Sequence, residues 1–97
     1  MSQQIRQRNI HFVVGFSLGS IARDAADLDW QRVSANRWHD ENDNLIIYLN
    51  DPRLLHGCRR GTRVYIFPGA ERRDDFWELQ DMMQMRECEC EYFSDLV

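Results

Sequence analysis

The sequence predicts a small α/β domain in which short buried strands alternate with amphipathic helices. Three segments, residues 10–14, 45–49 and 62–67, carry apolar residues on both faces, which is typical of strands buried on both faces of a sheet. Two others, 17–28 and 74–85, repeat apolar residues at helical spacing. Because such alternation favours parallel strands, we expect a three-layer domain of Rossmann-like or flavodoxin-like layout with a mostly parallel sheet. A two-layer α+β sandwich is the alternative.

The elements of the first half follow from local residue preferences. The helix over 17–28 begins at Ser17, whose side chain can accept a backbone N–H hydrogen bond as an N-cap. Residues 30–34 favour a short strand. The Asn- and Asp-rich residues 36–44 favour a turn, because these side chains bond locally to the backbone.

The second half repeats the pattern and ends in an acidic segment. Residues 53–57 favour a single helical turn. The helix over 74–85 has Asp74 as its predicted N-cap. Residues 87–93 largely alternate acidic and apolar side chains, which indicates a strand with one solvated face. We expect this strand at an edge of the sheet, where its carboxylates discourage pairing with another chain.

Length and composition indicate one soluble domain over residues 1–97. Hydrophobic residues make up 43% and charged residues 29%. No apolar run approaches the roughly 20 residues of a membrane span, and the polar residues 1–8 predict a loosely held arm rather than a signal peptide. We therefore expect a cytoplasmic protein in which Cys58, Cys88 and Cys90 are thiols.

The charges are strongly divided along the chain. All 12 basic residues are Arg. Residues 53–73 contain six Arg and one acid, a net charge of +5, whereas residues 74–97 carry a net charge of −7. This asymmetry predicts a basic surface and an acidic surface on one small domain.

One candidate site is an anion-binding crevice at the carboxyl ends of the strands. Gly15 and Ser17 lie in a turn from strand to helix, and Arg72 and Arg73 lie in the second such turn. If residues 10–14 and 62–67 form neighbouring strands, the two turns could converge on a phosphate. The pattern lacks a Walker A lysine and the three-glycine dinucleotide fingerprint, so a tight turn with a serine cap is the alternative.

Other residues favour a binding surface more than a catalytic centre. The His39–Asp43 segment is the strongest metal candidate, but its residues are too close together to converge readily, so we assign no metal, cofactor or catalytic residue. Trp and Arg dominate interface energetics, and acidic rows can face a basic partner. The candidate interface residues are Trp38, Trp77, Arg59, Arg60, Arg63, Glu87, Glu89 and Glu91.

The layout of residues 10–85 resembles small α/β proteins encoded by bacteriophages and prophages. The relevant stretches are 53–69, where Leu-His-Gly-Cys-Arg-Arg-Gly leads into a strand, and 72–79, which opens a helix. The resemblance implies a nucleotide-binding layout without a phosphate loop and no catalytic residue. It favours a non-enzymatic accessory factor that binds a host protein.

The alternative function is binding of a nucleotide or phosphate at the Gly15–Ser20 turn with Arg72 and Arg73. Nucleic acid is a less favoured partner, because the acidic segment would repel a phosphate backbone. Self-association through an edge strand or the helix over 74–85 is a further mode of interaction.

Overall fold

The chain forms a mixed α/β domain with one six-stranded sheet, and the computed structural model describes residues 9–93. Two short 3-10 helices, Pro52–Leu55 and Ala70–Arg72, lie in the connections before and after the fifth strand. The strands and α-helices are β1 (Ile10–Val14), α1 (Leu18–Asp27), β2 (Gln31–Ser34), β3 (Arg37–His39), β4 (Leu45–Tyr48), β5 (Arg63–Ile66), α2 (Phe76–Met85) and β6 (Glu89–Tyr92).

The strands lie in the order β2-β3-β4-β1-β5-β6. β1 is parallel to β4 and β5, and β6 is parallel to β5. The β2–β3 hairpin continues the sheet beside β4 in antiparallel orientation. The three predicted interior strands are confirmed, because β4, β1 and β5 each have a neighbour on both sides. The parallel part of the sheet comprises β4, β1, β5 and β6, so the sheet as a whole is mixed.

Alternate residues of β1 enter two apolar clusters on opposite faces of the sheet. Phe12 and Val14 pack with Leu79 and Met83 of α2, and this side is called the α2 face. Val13 packs with Ile21 of α1, on the side called the α1 face. The apolar stripes of both helices therefore cover the sheet, as their spacing predicts.

The segment predicted as a turn at 36–44 contains a strand, which corrects that prediction. β3 pairs with β2 and β4 and places Trp38 in the cluster beneath α1, where it is only 1% exposed. Trp38 is therefore a core residue and not the exposed interface anchor that we expected. The actual turn is narrower, and the Asp40 carboxylate accepts two backbone N–H hydrogen bonds within it.

The second helix also begins differently from the prediction. Its N-cap residue is Asp75 rather than Asp74, and the Asp75 side chain makes no capping hydrogen bond. The Asp75 carboxylate instead accepts hydrogen bonds from the Arg73 guanidinium. The predicted Ser17 cap of α1 is confirmed, because its hydroxyl oxygen accepts the Ser20 backbone N–H.

The two edges of the sheet are built differently. At one edge, the register of β2 shifts between Arg32 and Ser34, and the Arg32 guanidinium donates to the backbone carbonyls of Ser34 and Ala35. The acidic strand β6 forms the other edge, as predicted. It begins at Glu89, so Glu87 lies outside it, in a left-handed conformation with φ of 51°. The expected row of three strand glutamates is therefore wrong.

We expect Trp38→Ala to lower the free energy of unfolding by about 3–5 kcal/mol, because it leaves a large cavity beneath α1. Trp77→Ala should change it by less than about 0.5 kcal/mol, since Trp77 is 74% exposed on α2. Urea denaturation followed by circular dichroism measures both variants. Equal losses would contradict the burial of Trp38.

Candidate functional site

The turns after β1 and β5 adjoin at the carboxyl edge of the sheet, as the anion-site hypothesis requires. A Cβ atom on Gly69 would lie 3.2 Å from the Cβ of Phe16, so the two turns touch. A Cβ atom on Gly15 would lie 2.5 Å from Cγ1 of Ile21. The absence of a side chain at Gly15 therefore allows α1 to pack against the strand end, which accounts for this glycine without a ligand.

The Ser17 and Ser20 side chains are engaged within the first turn of α1. The Ser17 hydroxyl oxygen accepts the Ser20 N–H, and the Ser20 hydroxyl oxygen accepts the Ser17 N–H, each at 3.1 Å. The Ser20 hydroxyl also donates to the Ser17 carbonyl at 3.0 Å. This capping box matches the structural alternative for the turn.

The Arg73 side chain is engaged by groups of the domain itself. Its guanidinium donates at 2.9 and 2.8 Å to the two carboxylate oxygens of Asp75. It also donates at 2.8 Å to the carbonyl of Leu49 and at 3.2 Å to that of Asn50, at the end of β4. The side chain is only 9% exposed and lies over the Tyr48 ring. Arg73 therefore joins β4 to the start of α2, while its neighbour Arg72 is exposed.

A concavity of about 890 Å³ lies at the opposite, amino edge of the parallel strands. We call it the amino-edge groove. Apolar side chains of β1, β4 and the first 3-10 helix line it together with residues 57–61, and several arginines surround them. The apolar lining is Ile10, Phe12, Ile47 and Leu54, and the arginines are Arg37, Arg59, Arg60 and Arg63.

The amino-edge groove exists because the elements of the α2 face do not reach this end of the sheet. Phe12 and Val14 are buried in the α2 cluster, whereas Ile10, on the same face of β1, is 51% exposed. Leu54 of the 3-10 helix is also 45% exposed, although its neighbour Leu55 is fully buried. The groove thus offers apolar surface that the domain itself does not cover.

The four arginines of the groove differ in their partners. Arg60 forms an ion pair with Glu87 at 3.2 Å. Arg63 forms ion pairs with Glu89 at 3.0 Å and Glu91 at 3.7 Å. These pairs are solvent-exposed, so each is weak.

Arg37 and Arg59 are the uncompensated charges of the groove. Within residues 9–93, neither guanidinium forms a hydrogen bond or an ion pair. The sequence identified Arg59 but missed Arg37. Arg37 reaches the groove because β3 places it opposite Ile47, with Trp38 on the other face. No sequence signal marks it, since its position depends on the register of a strand that was predicted to be a turn.

A polar pair of residues lies on the α1 face at the same edge. The Tyr65 hydroxyl and Nδ1 of His11 are 3.3 Å apart, and the hydroxyl donates when Nε2 carries the imidazole proton. Burial lowers the pKa of His11, and Arg63 adds to this effect, whereas Asp40, Glu89 and Glu91 oppose it. His11 is thus a half-buried histidine with Tyr65 as its hydrogen-bonding partner.

The His39–Asp43 turn lies at the amino edge, opposite the crevice, as expected from its position before β4. Nδ1 of His39 is 3.5 Å from a carboxylate oxygen of Asp43. Across residues 9–93, no three His, Cys, Asp or Glu side chains are placed to hold a metal ion. In the same range, no helix has the length and apolar character needed to cross a membrane.

We expect Arg73→Ala to lower the free energy of unfolding by about 1.5–3 kcal/mol, because it removes charge-assisted hydrogen bonds to Leu49, Asn50 and Asp75. Arg72→Ala, next to it and exposed, is the matched control and should change stability by less than about 0.5 kcal/mol. Chemical denaturation of the two variants distinguishes a structural Arg73 from one that is free to bind a ligand.

The free energy of unfolding should fall on acidification, and part of this fall should come from the protonation of His11. Its pKa is lower in the folded protein than the ordinary value of about 6.5, so the unfolded chain binds more protons below that pH. His11 therefore makes its full contribution to stability above the ordinary pKa of about 6.5. This contribution is lost as the pH falls towards the lower pKa of His11 in the folded protein. Melting temperatures at about pH 7.5 and about pH 5.5 should differ less for His11→Gln than for the parent chain. An equal difference would show that His11 titrates normally.

No family model matches this chain, and no curated protein and no solved structure matches it. The function is therefore inferred from the amino-edge groove with its arginines and from the exposed side chains of the domain.

Proposed function

We propose that the chain is a non-enzymatic binding protein that holds an acidic, partly apolar segment of a partner protein in the amino-edge groove. The observation that carries this proposal is the pairing of uncovered apolar surface with the two uncompensated guanidinium groups of Arg37 and Arg59. A partner segment with alternating carboxylate and apolar side chains matches both features.

The chemistry of the groove favours carboxylates among anions carried by proteins. An Arg guanidinium can donate two parallel hydrogen bonds to one carboxylate, and it binds more strongly where apolar neighbours exclude water. Ile10 and Leu54 provide such neighbours beside Arg37 and Arg59. Apolar side chains of the partner would at the same time remove Ile10 and Leu54 from water, which stabilises the complex.

The surroundings of the groove disfavour a nucleic acid in this position. Glu87 and Glu89 lie beside its arginines and already pair with Arg60 and Arg63. A phosphate backbone places one negative charge on every nucleotide and would be repelled by these carboxylates. A protein segment can instead place its few carboxylates only where Arg37 and Arg59 are free.

The phage or prophage resemblance supports a host protein as the partner and the cytoplasm as the place of action.

We also propose that the fold is a Rossmann-like, three-layer arrangement. It is supported by the packing of α1 and α2 on opposite faces and by the parallel β4-β1-β5-β6 strands. The antiparallel β2–β3 hairpin is a departure from that layout.

The outer surface of α2 offers a second, smaller contact surface. Trp77, Asp81 and Met85 recur every four residues and are exposed along one stripe, with Trp77 and Met85 each 74% exposed. Exposed tryptophan is frequent among interface anchors. Self-association through this stripe is the alternative interaction. Sedimentation of the parent chain and of Trp77→Ala at several concentrations tests it, because the substitution should reduce the association.

The test uses a synthetic peptide that alternates Glu with Leu and Phe, together with a matched peptide carrying Gln in place of Glu. We expect the acidic peptide to shift the backbone amide resonances of Ile10, Leu54 and Arg59 in the labelled protein, and the neutral peptide to have little effect. The double variant Arg37→Glu, Arg59→Glu should weaken binding by about tenfold or more, which is about 1.4 kcal/mol.

The control reverses two exposed charges outside the groove, Arg23→Glu and Arg72→Glu, and therefore changes net charge equally. If both double variants weaken binding equally, the effect is one of overall charge and the groove assignment is wrong. Resonance shifts in the groove with a DNA or RNA oligonucleotide, but with no acidic peptide, would assign it to nucleic acid instead.

A further inference from the structure

The outer side of α2 carries the same chemistry as the segment that the amino-edge groove is proposed to hold. Trp77 and Met85 are each 74% exposed, and Asp81 lies midway between them on the same side of the helix. We call these three residues the outer stripe of α2. Glu78 is exposed beside them. This surface thus combines two large apolar side chains with two carboxylates on one helix.

The two carboxylates are available to a partner. Across residues 9–93, neither Asp81 nor Glu78 forms a hydrogen bond or an ion pair. Glu89 and Glu91 of β6, in contrast, already pair with Arg63. The outer stripe therefore presents negative charge that an arginine of another molecule can neutralise, next to exposed apolar surface.

We propose that the amino-edge groove of one copy binds the outer stripe of a second copy, so that the chain associates with itself head to tail. This inference rests on the proposed function, because it uses the preference of the groove for acidic, partly apolar surface. Trp77 and Met85 would be removed from water against the apolar lining of the groove. The carboxylates would accept charge-assisted hydrogen bonds from Arg37 and Arg59.

The outer stripe cannot enter the groove of its own molecule. Leu79 and Met83, on the opposite side of α2, are buried against the sheet and hold the helix with its outer stripe turned to solvent. The contact must therefore join two molecules. Because the groove and the stripe are different surfaces, the contact is heterologous, and each pair of copies retains one open groove and one open stripe.

The distribution of charge favours this pairing over the two symmetric ones. Contact between two outer stripes would bring the Asp81 carboxylates of both copies together. Contact between two grooves would bring Arg37 and Arg59 beside their counterparts. Like charges at an interface oppose association, whereas the contact of a groove with a stripe pairs opposite charges. A partner segment and a second copy would then exclude each other from the same groove.

The test mixes two variants that each lack one half of the contact. The groove variant carries Arg37→Glu and Arg59→Glu, and the stripe variant carries Trp77→Ala and Asp81→Asn. In sedimentation velocity, the parent chain should associate as its concentration rises, and salt should weaken this association. Either variant alone should associate about tenfold or more weakly. An equimolar mixture should form dimers, because one intact groove then meets one intact stripe.

Nuclear magnetic resonance of the mixture identifies the surfaces in contact. With the stripe variant labelled, we expect shifts of the backbone amide resonances of Ile10 and Leu54. With the groove variant labelled, the indole N–H resonance of Trp77 should shift. The controls are Asp27→Asn, and Arg23→Glu together with Arg72→Glu. They change net charge as the stripe and groove variants do and should associate like the parent chain.

A parent chain that stays monomeric up to its solubility limit would overturn the proposal, as would a mixture that forms no dimer. Association of the groove variant alone would assign the contact to two stripes, and association of the stripe variant alone would assign it to two grooves. Either result contradicts the head-to-tail contact. The four substituted residues are exposed, so both variants should fold, which circular dichroism checks.

The outcome separates this inference from the proposed function. If the acidic peptide binds the groove of a chain that does not associate, self-association is wrong and partner binding stands. If the mixture forms dimers but no acidic peptide binds, the groove is an interface between copies and the proposed binding of a partner segment is wrong.

Discussion

The burial of β1 on both faces and both edges is the constraint on which the rest of the structure depends. Its backbone pairs with β4 and β5, and its side chains enter the α1 and α2 clusters alternately. A strand in this position needs a helix on each face, because an uncovered face would leave apolar side chains in water. At the amino end of β1, the elements of the α2 face no longer cover the sheet, and Ile10 is exposed. The amino-edge groove lies at this uncovered end.

The sequence predicts the elements around β1 well because their signals are local. Residues 10–14, 45–49 and 62–67 carry apolar residues on both faces, and the stripes of α1 and α2 have helical spacing. The β2–β3 hairpin was predicted only in part, because the three residues of β3 carry no visible period. The burial of Trp38 depends on pairing with β4, which no short window of sequence contains.

The candidate site could be predicted less well than the fold, for a related reason. Sequence reasoning identified the carboxyl edge, where turns rich in glycine and arginine follow the strands. There the capping of Ser17 and the contacts of Arg73 serve the domain itself. The groove lies at the other edge and combines Arg37 from β3, Ile10 from β1 and Leu54 from the 3-10 helix. Only the tertiary arrangement brings these residues together.

The two edge strands also bear on how the domain behaves at high concentration. An edge strand presents unpaired N–H and C=O groups that can template another chain and begin aggregation. At β2, the register shift interrupts the regular row of such groups, and the Arg32 guanidinium occupies the carbonyls of Ser34 and Ala35. At β6, a second copy would have to bring its own Glu89 and Glu91 beside those already present. The domain thus has an exposed apolar groove but two sheet edges that disfavour pairing with a second copy. Contacts through the groove therefore need not extend the sheet from one copy to the next.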